Sequence, residues 1–204
     1  MSEQFSQLPG EPYATKTHTH ATLLRLPSIA GHQRFEIFTS VEHAKTLWNS
    51  LKMKTKLVGK PCWDWLDVQS GIPEIVPATQ EQFVPQMVNL DLLHAINFKK
   101  GCYTGQEIVA RTHYLGSVKR RTFLMTLSSK NSPQAGDKLT DEQQNEVGQI
   151  VRVAPSVLNA NGEVTAFDVL AELRIEAQQS GPIYWNSHPL TSKVMPYSLG
   201  LAES

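Results

Sequence analysis

The sequence predicts an α+β fold, a small mixed lobe followed by an all-β domain, on two observations. First, Leu23–Leu26 and Arg34–Phe38 have strand character around Gly31 and lead into a helical repeat of apolar residues, a β-β-α unit that amounts to half of a split α/β sandwich. Second, after Gly116 helical spacing gives way to short β-rich segments separated by Gly, Pro and Asn, the pattern of a small barrel or sandwich. The chain has 204 residues and 40% hydrophobic content, enough for a packed core in one large domain or two small ones.

Each element follows from local chemistry. Residues 1–19 contain Pro9, Gly10 and Pro12 and no periodicity, so they read as a mobile or extended lead-in. Ser40 can cap a helix in which Val41, Ala44, Trp48 and Leu51 share a face. Between Cys62 and Val76 strand and helix signals mix, and Gly71, Pro73 and Pro77 break them up, which suggests a wall rather than a core element. Thr104 followed by Glu107 has the form of a capping box and predicts a helix from about Gly105. Ile108, Thr112 and Leu115 fall on one face of it, and Gly116 suits a left-handed end. Strands are expected over 122–127, 138–140, 146–153, 164–175 and 183–185. The resulting domains are a lead-in over 1–19, an α/β domain over 20–117 and a β domain over 118–204.

Lys plus Arg and Asp plus Glu both number 19, so no global field draws the chain to nucleic acid or an anionic membrane, and strong direct nucleic-acid binding is not expected. The polar first twenty residues and the lack of a long apolar run point to a cytoplasmic protein without membrane association. Two cysteines, Cys62 and Cys102, are a poor framework for disulfide stabilisation and read as reduced. His18 and His20 form a His-x-His pair with no third ligand nearby, so no metal site is expected. Cys-x-x-Cys, P-loop and dinucleotide fingerprints are absent.

Cys102 is the residue that most needs a chemical account. Lys99 and Lys100 precede it, a helix start follows it, and Gly101 and Gly105 leave backbone room on either side, a setting that favours thiolate over thiol. Cys62 has none of these neighbours and reads as a structural residue.

The unbroken run Lys-Gly-Cys-Tyr-Thr-Gly-Gln-Glu at 100–107, followed by Ala110-Arg111, resembles the signature of the YgfZ family. These are folate-binding proteins related to the glycine-cleavage aminomethyltransferase and implicated in iron–sulfur cluster assembly and tRNA modification. Gly71-Ile72-Pro73, Gln82-Phe83-Val84-Pro85, Asn89-Leu90 and Phe98 resemble the family in order and spacing. The resemblance implies an aminomethyltransferase-like fold whose C-terminal part is a barrel, a tetrahydrofolate or one-carbon derivative as cofactor, and iron–sulfur assembly machinery or client proteins as partners. Family members carry a longer N-terminal region, so an incomplete first lobe and a partly open site are expected.

By the same resemblance Trp63 stands where the family has a folate-contacting tryptophan, and stacking of an indole on the flat pterin is the expected role. Gln69 stands where the family often has Glu. A neutral amide offers one acceptor oxygen with a donor beside it, so recognition of the pterin edge should be weaker than with a carboxylate. Lys100, Gly101, Tyr103, Glu107 and Arg111 complete the implied folate site around the thiol Cys102. Lys99, Lys100, Arg111, Lys119, Arg120 and Arg121 make a local cationic patch suited to the glutamate tail.

The expected function is that of a folate-binding accessory protein for iron–sulfur cluster assembly or repair, and thereby tRNA modification, with Cys102 as essential thiol and no conventional enzyme activity. The rival readings are a folate-dependent aminomethyltransferase-like one-carbon transferase and a truncated, non-binding interaction module.

Overall fold

The structure, a computed structural model, describes residue 5 and residues 7–114, 116–158 and 161–201. It comprises two compact units, Met1–Lys60 and Pro61–Ser204. The division falls at 60/61 and differs from the expected boundary at 117/118.

The first unit is a three-stranded antiparallel sheet in the order β1 (Thr15–His18), β2 (Ala21–Ile29), β3 (His32–Thr39), followed by helix α1 (Val41–Lys52). The β2–β3 hairpin turns at Ala30 and Gly31, both at positive φ. β1 lies in the expected lead-in and owes its order to a four-pair register with β2, Thr15 opposite Leu24 through His18 opposite Ala21. Phe5, Ala21 and Leu23 are buried, with Ile37 and Leu47 against them. The inward stripe of α1 is therefore rotated by one position from the expected face. Leu47 packs on the core cluster, while Val41 and Trp48 are 93% and 58% exposed. Ser40 holds the extended N-cap conformation, but its hydroxyl pairs with His43 Nδ1 at 2.8 Å instead of a backbone N–H.

In the second unit, the segment expected to be irregular is helix α2 (Lys60–Gln69). Two short 3-10 turns, Pro77–Thr79 and Pro85–Val88, lead to helix α3 (Gln106–Tyr114). Six strands then close a barrel: β4 (Arg120–Ser128), β5 (Lys138–Thr140), β6 (Glu146–Leu158), β7 (Val164–Arg174), β8 (Ile183–Trp185) and β9 (His188–Ser192), in the order β4-β7-β6-β5-β8-β9 with β9 pairing back to β4. β6 runs through Pro155, whose missing N–H falls beside a register shift between Pro155 and Val157. Ile175–Ser180, partly expected as strand, is a short helix, α4.

The barrel interior holds Phe123, Met125 and Leu127 of β4 with Phe167, Val169, Ala171 and Leu173 of β7. Their neighbours Leu124 and Leu170 face outward and are also buried, with Val68 of α2 and Val88. Covered on both faces, β4 and β7 read as continuous apolar runs where a half-exposed strand would alternate. No described helix is long and apolar enough to cross a membrane.

Candidate functional site

Helix α3 starts one residue later than expected and by a different exchange. Gln106, not Glu107, reaches back: its Oε1 accepts from the Tyr103 N–H at 3.3 Å, and the Gln106 N–H donates to the Tyr103 carbonyl at 3.1 Å. Left-handed backbone occurs here at Gly105 (φ 82°), whereas Gly116 is not left-handed. Gly116 instead allows close approach, since a Cβ there would lie 3.2 Å from Thr112 Cα. The buried residue of α3 is Val109; Ile108, on the expected inner face, is 61% exposed, and Leu115 lies outside the described residues. The buried Gln86 holds this turn of α3, its Nε2 donating to the Val109 carbonyl at 2.7 Å.

The loop ahead of α3 carries the signature in the open. Cys102 is exposed and free, as is Cys62. Gly101 and Glu107 are exposed, a Cβ at Gly101 would meet nothing within 4 Å, and Lys100 Nζ sits 4.8 Å from the centre of the half-buried Tyr103 ring. Asn97 shapes this loop, its Oδ1 accepting from the N–H groups of Lys99 and Lys100 at 2.9 and 3.2 Å. Phe98 stacks on His113 at 4.0 Å, which ties the loop to the last turn of α3.

The cationic patch is smaller than its sequence suggests. Arg121 is 7% exposed and forms a two-pronged pair with Asp91 at 2.6 and 2.9 Å, with Nη1 also donating to the Gln86 carbonyl. Arg120 is held by Glu172 of β7, which raises its pKa through the hydrogen bond and the nearby carboxylate charge. Both arginines fasten β4 and leave Lys99, Lys100, Arg111 and Lys119 as the exposed cations.

On α2, Trp63 is half-buried. Gln69 and Trp65, four residues apart, converge on the buried Asp168 of β7, Trp65 Nε1 donating to Oδ2 at 2.9 Å and Gln69 Nε2 at 2.8 Å. Lys193 Nζ completes the cluster, 3.0 Å from the same oxygen and 3.3 Å from Gln69 Oε1. Both ends of the Gln69 amide are thus satisfied, and a carboxylate at 69 would face Asp168. This gives an electrostatic reason for an amide at this position in the unliganded protein. Asp168 was invisible to sequence reasoning because a lone acid inside an apolar strand has no motif. Arg152 of β6 secures the same helix, bonding Asp64 and Asp67 at 3.1 and 3.0 Å.

Two further family-like residues have structural work. Gly71 has φ 66°, and a Cβ there would lie 2.7 Å from the Tyr197 ring. The Tyr197 hydroxyl donates to the Gly71 carbonyl at 2.8 Å and accepts from Asn89 Nδ2 at 3.3 Å. Asn89, left-handed and fully buried, also donates to the Thr122 carbonyl of β4 at 2.8 Å. The signature helix and α2 are therefore both anchored on the barrel, α3 through Gln86 and β4, α2 through Asp168 and Arg152. His18 and His20 part company: His18 Nε2 lies 3.2 Å from the Gln7 carbonyl, and His20 stacks on His43 at 4.0 Å.

No family model matches the chain. The tRNA-modifying protein YgfZ of Pectobacterium carotovorum subsp. carotovorum is 38% identical over 174 residues, which cover 83% of this chain and 50% of that protein. Its Escherichia coli counterpart is 32% identical over 199 residues, covering 98% of this chain and 60% of that protein. Among solved structures, the glycine cleavage system aminomethyltransferase T from Bartonella henselae matches with a TM-score of 0.61 at 16% identity, over 89% of this chain and 51% of that one, a likeness of fold. The chain spans about half to three-fifths of the length of the curated relatives it matches. The aminomethyltransferase-like fold, the exposed Lys100–Glu107 signature and this level of identity agree: over most of its own length the chain is similar to the tRNA-modifying YgfZ proteins.

Proposed function

We propose that the chain is a folate-binding accessory protein of iron–sulfur cluster assembly or repair, and through it of tRNA modification, with Cys102 as its essential thiol. The observation that supports this most is the exposed Cys102 on a signature loop whose following helix is tied to a closed barrel through Gln86 and Arg121. Exposure alone does not distinguish this thiol, since Cys62 is exposed as well; its place after Lys99 and Lys100 and ahead of helix α3 does. The tRNA-modifying designation of the relatives agrees with the same reading.

The residues present suit a reduced folate in kind. Trp63 presents a half-buried indole for stacking, Lys100 and Arg111 present cations for tail carboxylates, and Gly101 leaves the loop backbone approachable. Gln69 fits less simply, because its amide already bonds Asp168 and Lys193. A pterin edge would share that amide or meet the Lys193 ammonium. A bound reduced folate would supply a one-carbon carrier; the protein's part is to stack it, neutralise its tail and hold the Cys102 thiol open to solvent.

Titration of the intact chain with tetrahydrofolate or a one-carbon derivative, read by tryptophan fluorescence, tests the proposal. Binding should saturate, and Trp63→Ala should weaken it by about 1–3 kcal/mol through lost stacking. Cys102→Ser should leave binding intact and fail to restore iron–sulfur enzyme activity in cells depleted of the protein. Absence of binding by the folded chain would favour an interaction module, and glycine-dependent one-carbon transfer would favour an aminomethyltransferase.

A further inference from the structure

The zero formal charge of the whole chain conceals a division. Residues 1–60 contain eight Lys and Arg against four Asp and Glu, and residues 61–204 contain eleven against fifteen, so the first unit is +4 and the second −4. Most of the excess is concentrated. Between Glu42 and Asp64 no acidic residue occurs, while Lys45, Lys52, Lys54, Lys56 and Lys60 all do. Every residue from 52 to 62 is exposed. Lys52 ends α1 and complements the helix dipole, but Lys56 lies beyond the helix, where that explanation does not reach. Trp48, 58% exposed, lies one turn before Lys52 on the same face of α1.

A run of exposed cations without intervening acids fits a polyanion, and an exposed indole beside it fits a polyanion with flat bases. A membrane surface is the weaker match, since interfacial helices gather their apolar residues on one helical face. Here exposed Met53, Leu57 and Val58 alternate with lysines on the irregular connection after α1. We propose that Lys52, Lys54, Lys56 and Trp48 form a weak, salt-sensitive docking surface for the phosphate backbone of RNA. In choosing RNA the inference rests on the tRNA-modification reading above, but it concerns a different surface.

The test uses the full chain and fluorescently labelled bulk tRNA, with binding followed by anisotropy across a salt series. The triple variant Lys52→Gln/Lys54→Gln/Lys56→Gln should flatten the slope of log K against log salt by about 2–3, since each phosphate neutralised by a lysine contributes about 0.7–0.9 to that slope. Trp48→Ala should lower affinity with the slope unchanged, because stacking releases no counterions. A charge-matched triple at Lys16, Lys130 and Lys138 should change little. Equal losses in the two triples would overturn the proposal, as would binding to phosphatidylserine-containing vesicles without binding to tRNA. Folate titration of the same Lys52→Gln/Lys54→Gln/Lys56→Gln variant keeps the two readings apart: failure of the folate reading abolishes that signal in every variant, and failure of the RNA surface leaves it intact.

Discussion

Removing the Asp168 carboxylate should destabilise the second unit by about 2–6 kcal/mol, the cost of leaving two half-buried donors without an acceptor at about 1–3 kcal/mol each. The donors are Trp65 Nε1 and Gln69 Nε2, at 2.9 and 2.8 Å from an Asp168 side chain that is 2% exposed. Lys193 adds little, because its side chain is 35% exposed and its ammonium can recover water when the partner is removed. Asp168→Ala should therefore cost most. Asp168→Asn, which keeps the volume and one acceptor, should cost about half as much, and Lys193→Met should cost less than about 1 kcal/mol. Urea unfolding followed by both tryptophan emission and far-ultraviolet dichroism measures this, with an unchanged m-value showing that the same surface is exposed in each variant. A loss below about 1 kcal/mol in Asp168→Ala, at constant m, would refute the claim that this carboxylate holds α2 and orients Gln69.

Gly71→Ala should lower thermal stability by the equivalent of about 1–3 kcal/mol, since the new methyl meets the Tyr197 ring on backbone at φ 66°; an unchanged melting temperature would show that the ring moves aside freely. Burial raises the Tyr197 phenol above its ordinary 10.0, partly offset by the Asn89 hydrogen bond and the Arg121 charge. The folded state then keeps a proton that the unfolded chain releases, so this contribution is complete below pH 10 and is lost as pH rises through the higher folded value. Tyr197→Phe should remove that part of the alkaline fall in stability, measured by denaturation at stepped pH. Breaking the Arg121–Asp91 pair with Asp91→Ala should cost about 3–5 kcal/mol, because the guanidinium is left in a site only 8% exposed; urea midpoints check it. Cys62 and Cys102 should both react with a bulky maleimide in the native protein, as both are exposed, and mass analysis that finds either one protected would contradict the structure.

Period, composition and motif were legible without coordinates. The β2–β3 hairpin, both long helical repeats and most barrel strands follow from residue spacing, and the signature around Cys102 stands out because eight successive residues are specified. Helical phase was not legible. In α1 and α3 the apolar stripe lies one position away from the expected face, on Leu47 and on Val109, because each helix offers adjacent apolar residues and the choice falls to the tertiary setting: Leu47 packs on the Phe5/Ala21/Leu23 cluster, and α3 is held at the Val109 carbonyl by Gln86. Charge availability was equally hidden. Lys119-Arg120-Arg121 reads as one cationic run, yet Glu172 and Asp91 claim both arginines from 52 and 30 residues away. The sequence by itself determined the β2–β3 hairpin, helices α1 and α3 and most barrel strands, since these depend on neighbours along the chain, whereas β1 and α2 take their order from β2 and from the barrel. Only the tertiary structure decided that Gln69 answers to Asp168, 99 residues distant, and that Gly71 yields to Tyr197, because burial and pairing energies depend on separations in space that local sequence does not encode.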